Sequence, residues 1–445
     1  MSIKKPLSLV ELFMNKSDFE LPPFCPYFET IAQFEEANSF INERVAYIST
    51  TRVSDAGYVY ELTLDYLSEM KHNSNNFKSS RSEITTFIIW CWDVEGIALA
   101  DVTRRHMNRF LSWCSSPPPD AIGDAQRPQF IDNKAQGLRL PNPLWRPFVN
   151  RAKKGVGDVS KSLPYQRKAS AIKNQLAILS SYYQFLNDEE YCERNPAALA
   201  MRRERYKENH SAIDSEECIK ALNPLQLSYL MGAAQKLAAS DPARHERTLF
   251  IVVLLFSTYA RISEISARPG YSPVMSQIRR DRNNETWGFF IPKSKNGKSR
   301  TIAVSDALLN AFKRYRISQG LSALPSPNEQ TPLLVRIRPA QHGRDSKIIN
   351  ANLGINAIRD EVEFVYKLTA DLLENDGHFH DATEIRTMTV HSLRHTGISC
   401  DLEKGRSLHH VMADAGHQDI GITSRYITAS RVERYESAKY KGIME

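Results

Sequence analysis

A run of polar residues near the middle of the chain divides it into two parts. Residues 202–215 carry several arginines and few apolar side chains, so this segment cannot be buried in a core. Regular apolar patterns occur on both sides of it. The chain, at 445 residues, is also too long for one compact core. The sequence therefore predicts two or three domains, with a linker that we place at residues 206–218.

The part before the linker is predicted to be a small helical domain. Apolar side chains recur there at the i, i+3, i+4 spacing of an amphipathic helix, as at Ile84, Phe87 and Ile88. Such patterns end before the prolines at 117–119 and before Pro196, since a proline does not continue a helix. We expect an extension over residues 1–55, a helical domain over 56–205, and a loop or insertion within it at about 116–165.

The part after the linker, residues 219–445, is predicted to be mainly helical with one small β-hairpin. Strand-like runs at 287–291 and 301–304 flank Asn296-Gly297, a pair that favours a tight hairpin turn. Helical patterns cover residues 225–237, 246–265, 305–319, 355–373 and the stretch from 392 onward, with a tail at about 428–445. The predicted fold class is mainly α with a small β-sheet.

Composition excludes several classes of protein. The longest apolar run, residues 249–256, is too short to cross a bilayer, and residues 1–16 lack the apolar stretch of a secretory signal. The six cysteines are scattered without a CxxC pair, which argues against a zinc site or a disulfide framework and suits a reducing cytosol. We therefore expect a cytoplasmic protein. The net charge of +7 fits a nucleic-acid partner, although many unrelated proteins share it.

Three short segments after the linker combine side chains that handle phosphate. Arginines grip the non-bridging oxygens of a phosphate, histidines move protons near neutral pH, and a tyrosine hydroxyl can attack a phosphate held in line. The segments are Tyr259-Ala260-Arg261-Ile262-Ser263-Glu264-Ile265, His391-Ser392-Leu393-Arg394-His395-Thr396, and Gly416-His417 followed nine residues later by Tyr426.

The second segment is suited to binding an anion. His391 and Arg394 are three residues apart, so a helix presents both on one face. Thr389 stands where an N-cap belongs, which places them in the first turn, near the positive end of the helix dipole. No cluster of Asp and Glu accompanies these cations, so we expect phosphoryl transfer without metal or cofactor. Loss of one such donor should slow the reaction about 100- to 1000-fold.

Together the segments resemble the catalytic domain of the tyrosine recombinases, also called the phage integrase family. The family signature is an arginine in an R-x-x-E helix, a hairpin lysine, an H-x-L-R-H segment, a Gly-His pair and a tyrosine nine residues later. The resemblance covers about residues 219–435. The helices near 58–114 and 165–187, with the ending at Asn195-Pro196, resemble the family's core-binding, SAM-like domain. Five elements in the right order make the match specific.

The resemblance implies a role for each matching residue. Arg261 and Arg394 are expected to clamp the scissile phosphate. Tyr426 is the implied nucleophile, which gives a 3′-phosphotyrosine and a free 5′-hydroxyl. His391 is the implied general base or acid–base partner of the nucleophile, and His417 takes the place of the family's His/Trp phosphate contact.

The resemblance also implies supporting residues. Glu264 is expected to support the first arginine, and the general acid is a hairpin lysine, best matched by Lys295, with Lys298 and Lys293 as alternatives. Candidate DNA-binding residues are the basic side chains of the loops and linker, Lys153, Lys154, Arg202, Arg203, Arg205 and Lys298. The chain departs from the family in having Tyr259-Ala260 where Gly-Leu is usual. It also has a long stretch from Lys295 to His391, so we expect an insertion within residues 322–387.

Several of these features also have simpler explanations. Arg261 and Glu264 could form an ordinary helical ion pair, and turn lysines are usually solvated. His391 and His395 have metal-ligand spacing, but Ser392 stands where an H-E-x-x-H motif needs Glu. The joint occurrence of the motifs favours the phosphate site.

The expected function is that of a site-specific DNA recombinase of the integrase or transposase type, acting through a Holliday junction without ATP. Its partners would be double-stranded recombination sites, further copies of itself in dimers or tetramers, and accessory DNA-bending factors. It would act in the cytoplasm, on the nucleoid, and not at a membrane. The alternatives are a type IB topoisomerase-like enzyme that relaxes DNA, and a DNA-binding relative that has lost catalysis.

Overall fold

The structure, a computed structural model, describes residues 22–133, 138–150, 165, 167–202, 220–281, 285–292, 299–339, 341, 346–417, 419–424, 426 and 439. The chain divides into two compact units, residues 1–215 and 216–445, and each is described by itself. In both, the described residues are mainly helical with small sheets, which confirms the predicted fold class. No helix in the described ranges has the length and apolar character that spanning a membrane requires.

The first unit is a bundle of helices with two pairs of very short strands. Its helices are α1 Ser39–Thr51, α2 Ala56–Glu69, α3 Ser74–Ile89, α4 Arg104–Ser115 and α5 Ala169–Asp188, and α3 continues into a π-helical turn, Trp90–Glu95. Strand β1 (Ile122–Gly123) pairs in parallel with β4 (Phe148–Val149), and β2 (Phe130–Asn133) pairs antiparallel with β3 (Leu138–Pro141). These strands lie in the segment where a loop or insertion was predicted.

Residues 22–55 belong to the core of this unit. Phe24, Tyr27 and Phe28 are buried in its hydrophobic cluster, although they lie in irregular backbone. The hydroxyl of Tyr27 also donates to the buried carboxylate of Asp93. The expectation of an extension over residues 1–55 is therefore wrong for the described part. Apolar side chains that pack from a loop show no helical period, so the pattern does not reveal them.

The second unit has nine helices and one sheet among its described residues. The helices are α6 Pro224–Ser240, α7 Pro242–Thr258, α8 Ile262–Ile265, α9 Asp306–Ser318, α10 Ile355–Asn375, α11 Phe379–Ile385, α12 Val390–Glu403, α13 Leu408–Ala415 and α14 Ile420–Ser424. The sheet is antiparallel, in the order β5 (Ile278–Arg280), β6 (Trp287–Ile291) and β7 (Arg300–Ala303). The predicted turn at Asn296-Gly297 lies outside the described residues.

Helix α7 forms the centre of the second unit. Asp241 caps its start and accepts from the amide of Arg244, and Pro242 occupies the first turn, where no amide donor is needed. Its side chains are buried almost all round, and it packs against α6, α9, α10 and α12. The continuous apolar run that marks it in the sequence is thus the signature of a fully buried helix.

Two long helices predicted from the sequence are interrupted. The predicted helix over residues 246–265 ends at Thr258, because Tyr259 adopts the left-handed conformation (φ 52°) that terminates a helix. The predicted helix from residue 392 onward is broken into α12, α13 and α14. Gly405 and Gly416 stand at these breaks with positive φ of 81° and 65°, a conformation that glycine adopts without strain. These breaks bring the three sequence segments together.

Candidate active site

The first turn of α12 presents two of the predicted residues. Thr389 is the N-cap, as expected, and its amide donates to the hydroxyl of Ser392 at 3.2 Å. The helix begins at Val390, so His391 and Arg394 lie in and just after its first turn. The amide of Ser392 donates to the carbonyl of Thr389 at 2.8 Å, and the positive end of the helix dipole favours an anion at this turn.

Arg394 ties the three segments together. It is buried, with 2% of its surface exposed. Its Nη1 donates to the carbonyl of Tyr259, and its Nη2 donates to the carbonyl of Ala415 at 2.7 Å. The same Nη2 lies 2.8 Å from Nε2 of His417. All of these partners are neutral. Among the described residues, no carboxylate makes a hydrogen bond to the buried guanidinium of Arg394.

The charges of the site are unbalanced. Burial lowers the pKa of the Arg394 guanidinium to about 10, and the positive charge of Arg261 adds to that shift. The charge of Arg261 also contributes to lowering the pKa of His391 and His417, after burial and Arg394. The two arginines therefore face one site and repel each other across it. An anion placed between them would remove this cost.

Glu264 is a buried carboxylate shared by two arginines. It accepts from the amide of Arg261 at 2.7 Å and from Nη1 of the same residue at 3.3 Å. Arg300, at the start of β7, donates to both of its oxygens at 2.8 Å. Burial alone would raise the pKa of Glu264, but the hydrogen bonds and charges of Arg300 and Arg261 hold it below its usual range. Glu264 thus stays ionised and fixes the backbone and side chain of Arg261.

His417 bridges α12 and α14. Its Nε2 accepts from Arg394, so the ring proton resides on Nδ1, which donates to the hydroxyl of Thr423 at 2.8 Å. Burial, and then the charges of Arg394 and Arg261, lower the pKa of His417 to about 4. The ring is therefore neutral at neutral pH.

The side chain of Tyr426 reaches the same site. It is 8% exposed and packs in a small cluster with Tyr259, Ile398, Val411 and Ala415. Its hydroxyl lies 2.5 Å from Nδ1 of His395, and its ring stacks on His417 with centroids 6.3 Å apart. Burial raises the pKa of Tyr426, and the charge of Arg394 opposes that shift.

Five of the six predicted catalytic residues and the supporting Glu264 thus lie in one site. The sixth, Lys295, lies outside the described residues, as do Lys298 and Lys293. The strands that would carry the lysine are present, and β7 reaches the site through Arg300. Of the predicted DNA-binding residues, Arg202 is exposed at the end of a helical segment, 196–202, in the first unit. Lys153, Lys154, Arg203 and Arg205 lie outside the described residues.

Two residues of the site were not predicted. His395 was named as part of the H-x-L-R-H segment but given no role. Its spacing of four residues from His391 puts both on one helix face, where their rings meet edge to face at 4.4 Å. Arg300 gave no signal beyond lying next to a basic turn. Among the described residues there is no cluster of three or more His, Cys, Asp or Glu that could hold a metal ion.

The second unit matches a family of known proteins. Residues 220–433 match the model of the phage integrase family. Tyrosine recombinase XerD of Staphylococcus haemolyticus is 25% identical over 265 residues, which cover 60% of this chain and 74% of that protein. XerD of Rhizobium meliloti is 23% identical over 266 residues, covering 58% and 70%.

Solved structures of similar proteins include two DNA complexes. The XerH site-specific recombinase bound to palindromic difH substrate is 12% identical, with a TM-score of 0.49 and 89% of each chain covered. The Tn1549 transposon integrase in complex with circular intermediate DNA is 15% identical, with a TM-score of 0.47, covering 84% of this chain and 97% of that one. Residues 220–433 of the chain thus form a phage integrase domain, and the relatives that the chain matches are tyrosine recombinases.

Proposed function

We propose that this chain recombines DNA at specific sites by forming a 3′-phosphotyrosine at Tyr426, without metal or ATP. The observation that carries the proposal is the buried Arg394. Among the described residues its hydrogen-bond partners are all neutral, it lies near a second arginine, and the phenol of Tyr426 is held in the same site. A DNA phosphodiester supplies the missing negative charge, and the phenol supplies the nucleophile.

The proposed cleavage step needs no external energy. Arg261 and Arg394 bind the non-bridging oxygens of the phosphate and stabilise the charge that grows on them in the transition state. The bond from Oη of Tyr426 to phosphorus forms as the bond to the 5′ oxygen breaks, and the predicted acid Lys295 gives that oxygen a proton. A 5′-hydroxyl of another strand then attacks the phosphotyrosine and regenerates the tyrosine. One phosphodiester has replaced another.

The proposed reaction uses the whole chain. We infer that residues 56–205 and 219–445 both contact the duplex, and that dimers or tetramers exchange strands through a Holliday junction. The exposed Arg202, with the basic residues at 153–154 and 203–205, would contact phosphates, so affinity should fall steeply with salt. The tail at 428–445 would dock on a neighbouring protomer. Since the substrate is chromosomal or mobile-element DNA, the protein would act in the cytoplasm, with accessory factors at some sites.

The test is a covalent adduct. Binding sites are selected from a random duplex library and rebuilt as nicked suicide substrates, in which the cleaved end diffuses away and the phosphotyrosine accumulates. We expect an adduct with the unsubstituted protein and with Tyr58→Phe, an exposed tyrosine of the first unit, and none with Tyr426→Phe. An adduct with Tyr426→Phe would overturn the assignment of the nucleophile.

Two further outcomes of the same test identify the alternatives. Relaxation of any supercoiled plasmid by a monomer, without site preference, would indicate a type IB topoisomerase-like enzyme. A folded protein that binds a selected site and never forms an adduct would indicate a relative that has lost catalysis.

A further inference from the structure

The imidazole that contacts the hydroxyl of Tyr426 is that of His395. Nδ1 of His395 lies 2.5 Å from the hydroxyl of Tyr426, and the two rings are inclined by 34° with centroids 5.4 Å apart. Among the described residues His391 makes no hydrogen bond to this phenol. Its ring instead meets His395 edge to face, and its side chain is exposed to solvent.

The direction of this hydrogen bond follows from the charges around it. Among the described residues, the charged or titratable groups that face His395 are cations, imidazoles or the phenol itself. They are His391 and Arg394 on its own helix, and His417 and Tyr426 from the elements packed against it. Burial and these neighbours keep the ring neutral, and they lower the pKa of His395 to about 4. The phenol therefore donates, and Nδ1 of the neutral ring accepts.

We propose that His395 positions the nucleophile and takes its proton during cleavage. The inference rests on the proposed function, in which Tyr426 is the nucleophile. As Oη of Tyr426 bonds to phosphorus, its O–H bond breaks and an N–H bond forms at Nδ1 of His395. When the strand is rejoined, the imidazolium returns that proton to the leaving phenolate. The role of general base that the motif suggests for His391 thereby passes to the residue one turn further along the helix.

Bound DNA makes this base effective. In the free protein, positive charge on Arg394 disfavours a second positive charge on His395. A phosphate held by Arg394 and Arg261 cancels that repulsion, so the imidazole gains affinity for a proton when the substrate is in place. His391, which is exposed beside it, remains available to contact the phosphate or solvent. The proton transfer is thus coupled to substrate binding.

The experiment compares matched variants on one suicide substrate, with the single-turnover rate of adduct formation as readout. His395→Gln keeps an acceptor for the phenol but cannot take its proton, and His395→Phe removes both. We expect a loss of about 100-fold or more for H395Q, a larger loss for H395F, and unchanged DNA affinity for both. H391Q is the control at the neighbouring imidazole and should retain more activity than H395Q.

Two chemical substitutions separate proton removal from other roles. A 5′-bridging phosphorothioate has a leaving group that needs no acid, so it should not rescue H395Q if the defect lies at the nucleophile. A fluorinated tyrosine at position 426, with a more acidic hydroxyl, should rescue it. Near-normal rates in H395Q, or rescue by the phosphorothioate alone, would overturn the proposal.

A measurement that leaves His395 intact covers the case in which its variants do not fold. The pH profile of single-turnover cleavage in H391Q should keep an ascending limb, because the base is still present. Loss of the ascending limb in H391Q would assign the base to His391 and contradict the proposal. The proposed function fails through different outcomes: an adduct with Tyr426→Phe, relaxation without site preference, or no adduct with the unsubstituted protein.

Discussion

Arg300 and Glu264 form a two-pronged ion pair in which both N–O distances are 2.8 Å. The pair lies directly under the Gly416 turn, since a Cβ at Gly416 would come within 3.1 Å of the Arg300 guanidinium. Nε of Arg300 also donates to the carbonyl of Asp414 at 3.0 Å. One side chain thus joins the sheet, the helix that follows Arg261 and the end of α13, next to His417.

Replacing Arg300 should destabilise the protein strongly. In Arg300→Ala the carboxylate of Glu264, which is 2% exposed, keeps only Arg261 as a charged partner, and a buried pair broken on one side typically costs about 3–5 kcal/mol. The free energy of unfolding in urea measures this cost. Arg386→Ala is the matched control, because its ion pairs with Asp371 and Glu374 are exposed to solvent, where such pairs add little stability. Equal costs for the two variants would contradict the role given to Arg300.

Gly397 lies where α12 packs tightly against α7. A Cβ there would collide with the carbonyl oxygen of Phe256 and lie 3.0 Å from the ring of Tyr259. Gly397→Ala should therefore lose roughly 1–3 kcal/mol of stability, as overpacked cores do. Gly232, in α6, has no atom within 4 Å of its Cβ position, so Gly232→Ala should gain about 0.4–1 kcal/mol. Thermal and urea denaturation of the pair test the sign of each change.

The backbone of Tyr259 has a positive φ, which is uncommon for tyrosine, and hydrogen bonds of its side chain stabilise this conformation. Its hydroxyl donates to Asp401 and accepts from Arg406 at 2.8 Å. Tyr259→Phe leaves those partners without the hydroxyl and should cost about 1–2 kcal/mol. Tyr259→Gly suits the positive φ but deletes a buried ring, so it should cost more, about 3–5 kcal/mol. A more stable glycine variant would show that backbone strain outweighs the packing of the ring.

DNA binding should be coupled to proton uptake. His395 and His417 each have a pKa lowered to about 4, by burial first and then by neighbouring charges, so both are neutral in the free protein at pH 7. A bound phosphate favours their charged forms and raises both pKa values, so the complex holds more protons than its parts and affinity rises as pH falls from 7 toward 5. Calorimetry in buffers of different ionisation enthalpy measures the uptake. The number of protons taken up should be smaller in His417→Gln and unchanged in His380→Gln, a control at an exposed residue. Release of protons on binding would contradict the prediction.

Much of the fold could be predicted from periodicity. The buried helix α7 and the strands β6 and β7 have strong local patterns, and their positions follow within a few residues. The end of α7 could not be predicted, because Tyr259 is not a residue type that usually adopts positive φ and is held there by contacts made more than 100 residues away. The packing of residues 22–28 was also missed, since irregular backbone leaves no period.

The site shows the same division. Residues of the H-x-L-R-H, Gly-His and tyrosine motifs could be identified because their spacing is itself the signal. The residues that contact them could not be identified from the sequence. The pairing of Arg300 with Glu264 joins β7 to α8, and the contact of His395 with Tyr426 joins α12 to the chain after α14. Neither has a fixed separation along the sequence, so only the tertiary fold brings them together.

The close approach at Gly397 also has a consequence for how the two arginines are held. With no room between α7 and α12, and with the carbonyl of Tyr259 bonded to Arg394, the helix ends that bear the two guanidiniums cannot slide apart. In the proposed reaction, the two guanidiniums are therefore already in place before DNA binds. In the proposed reaction, we therefore expect the timing of strand cleavage to depend on Tyr426, whose hydroxyl donates to the neutral ring of His395.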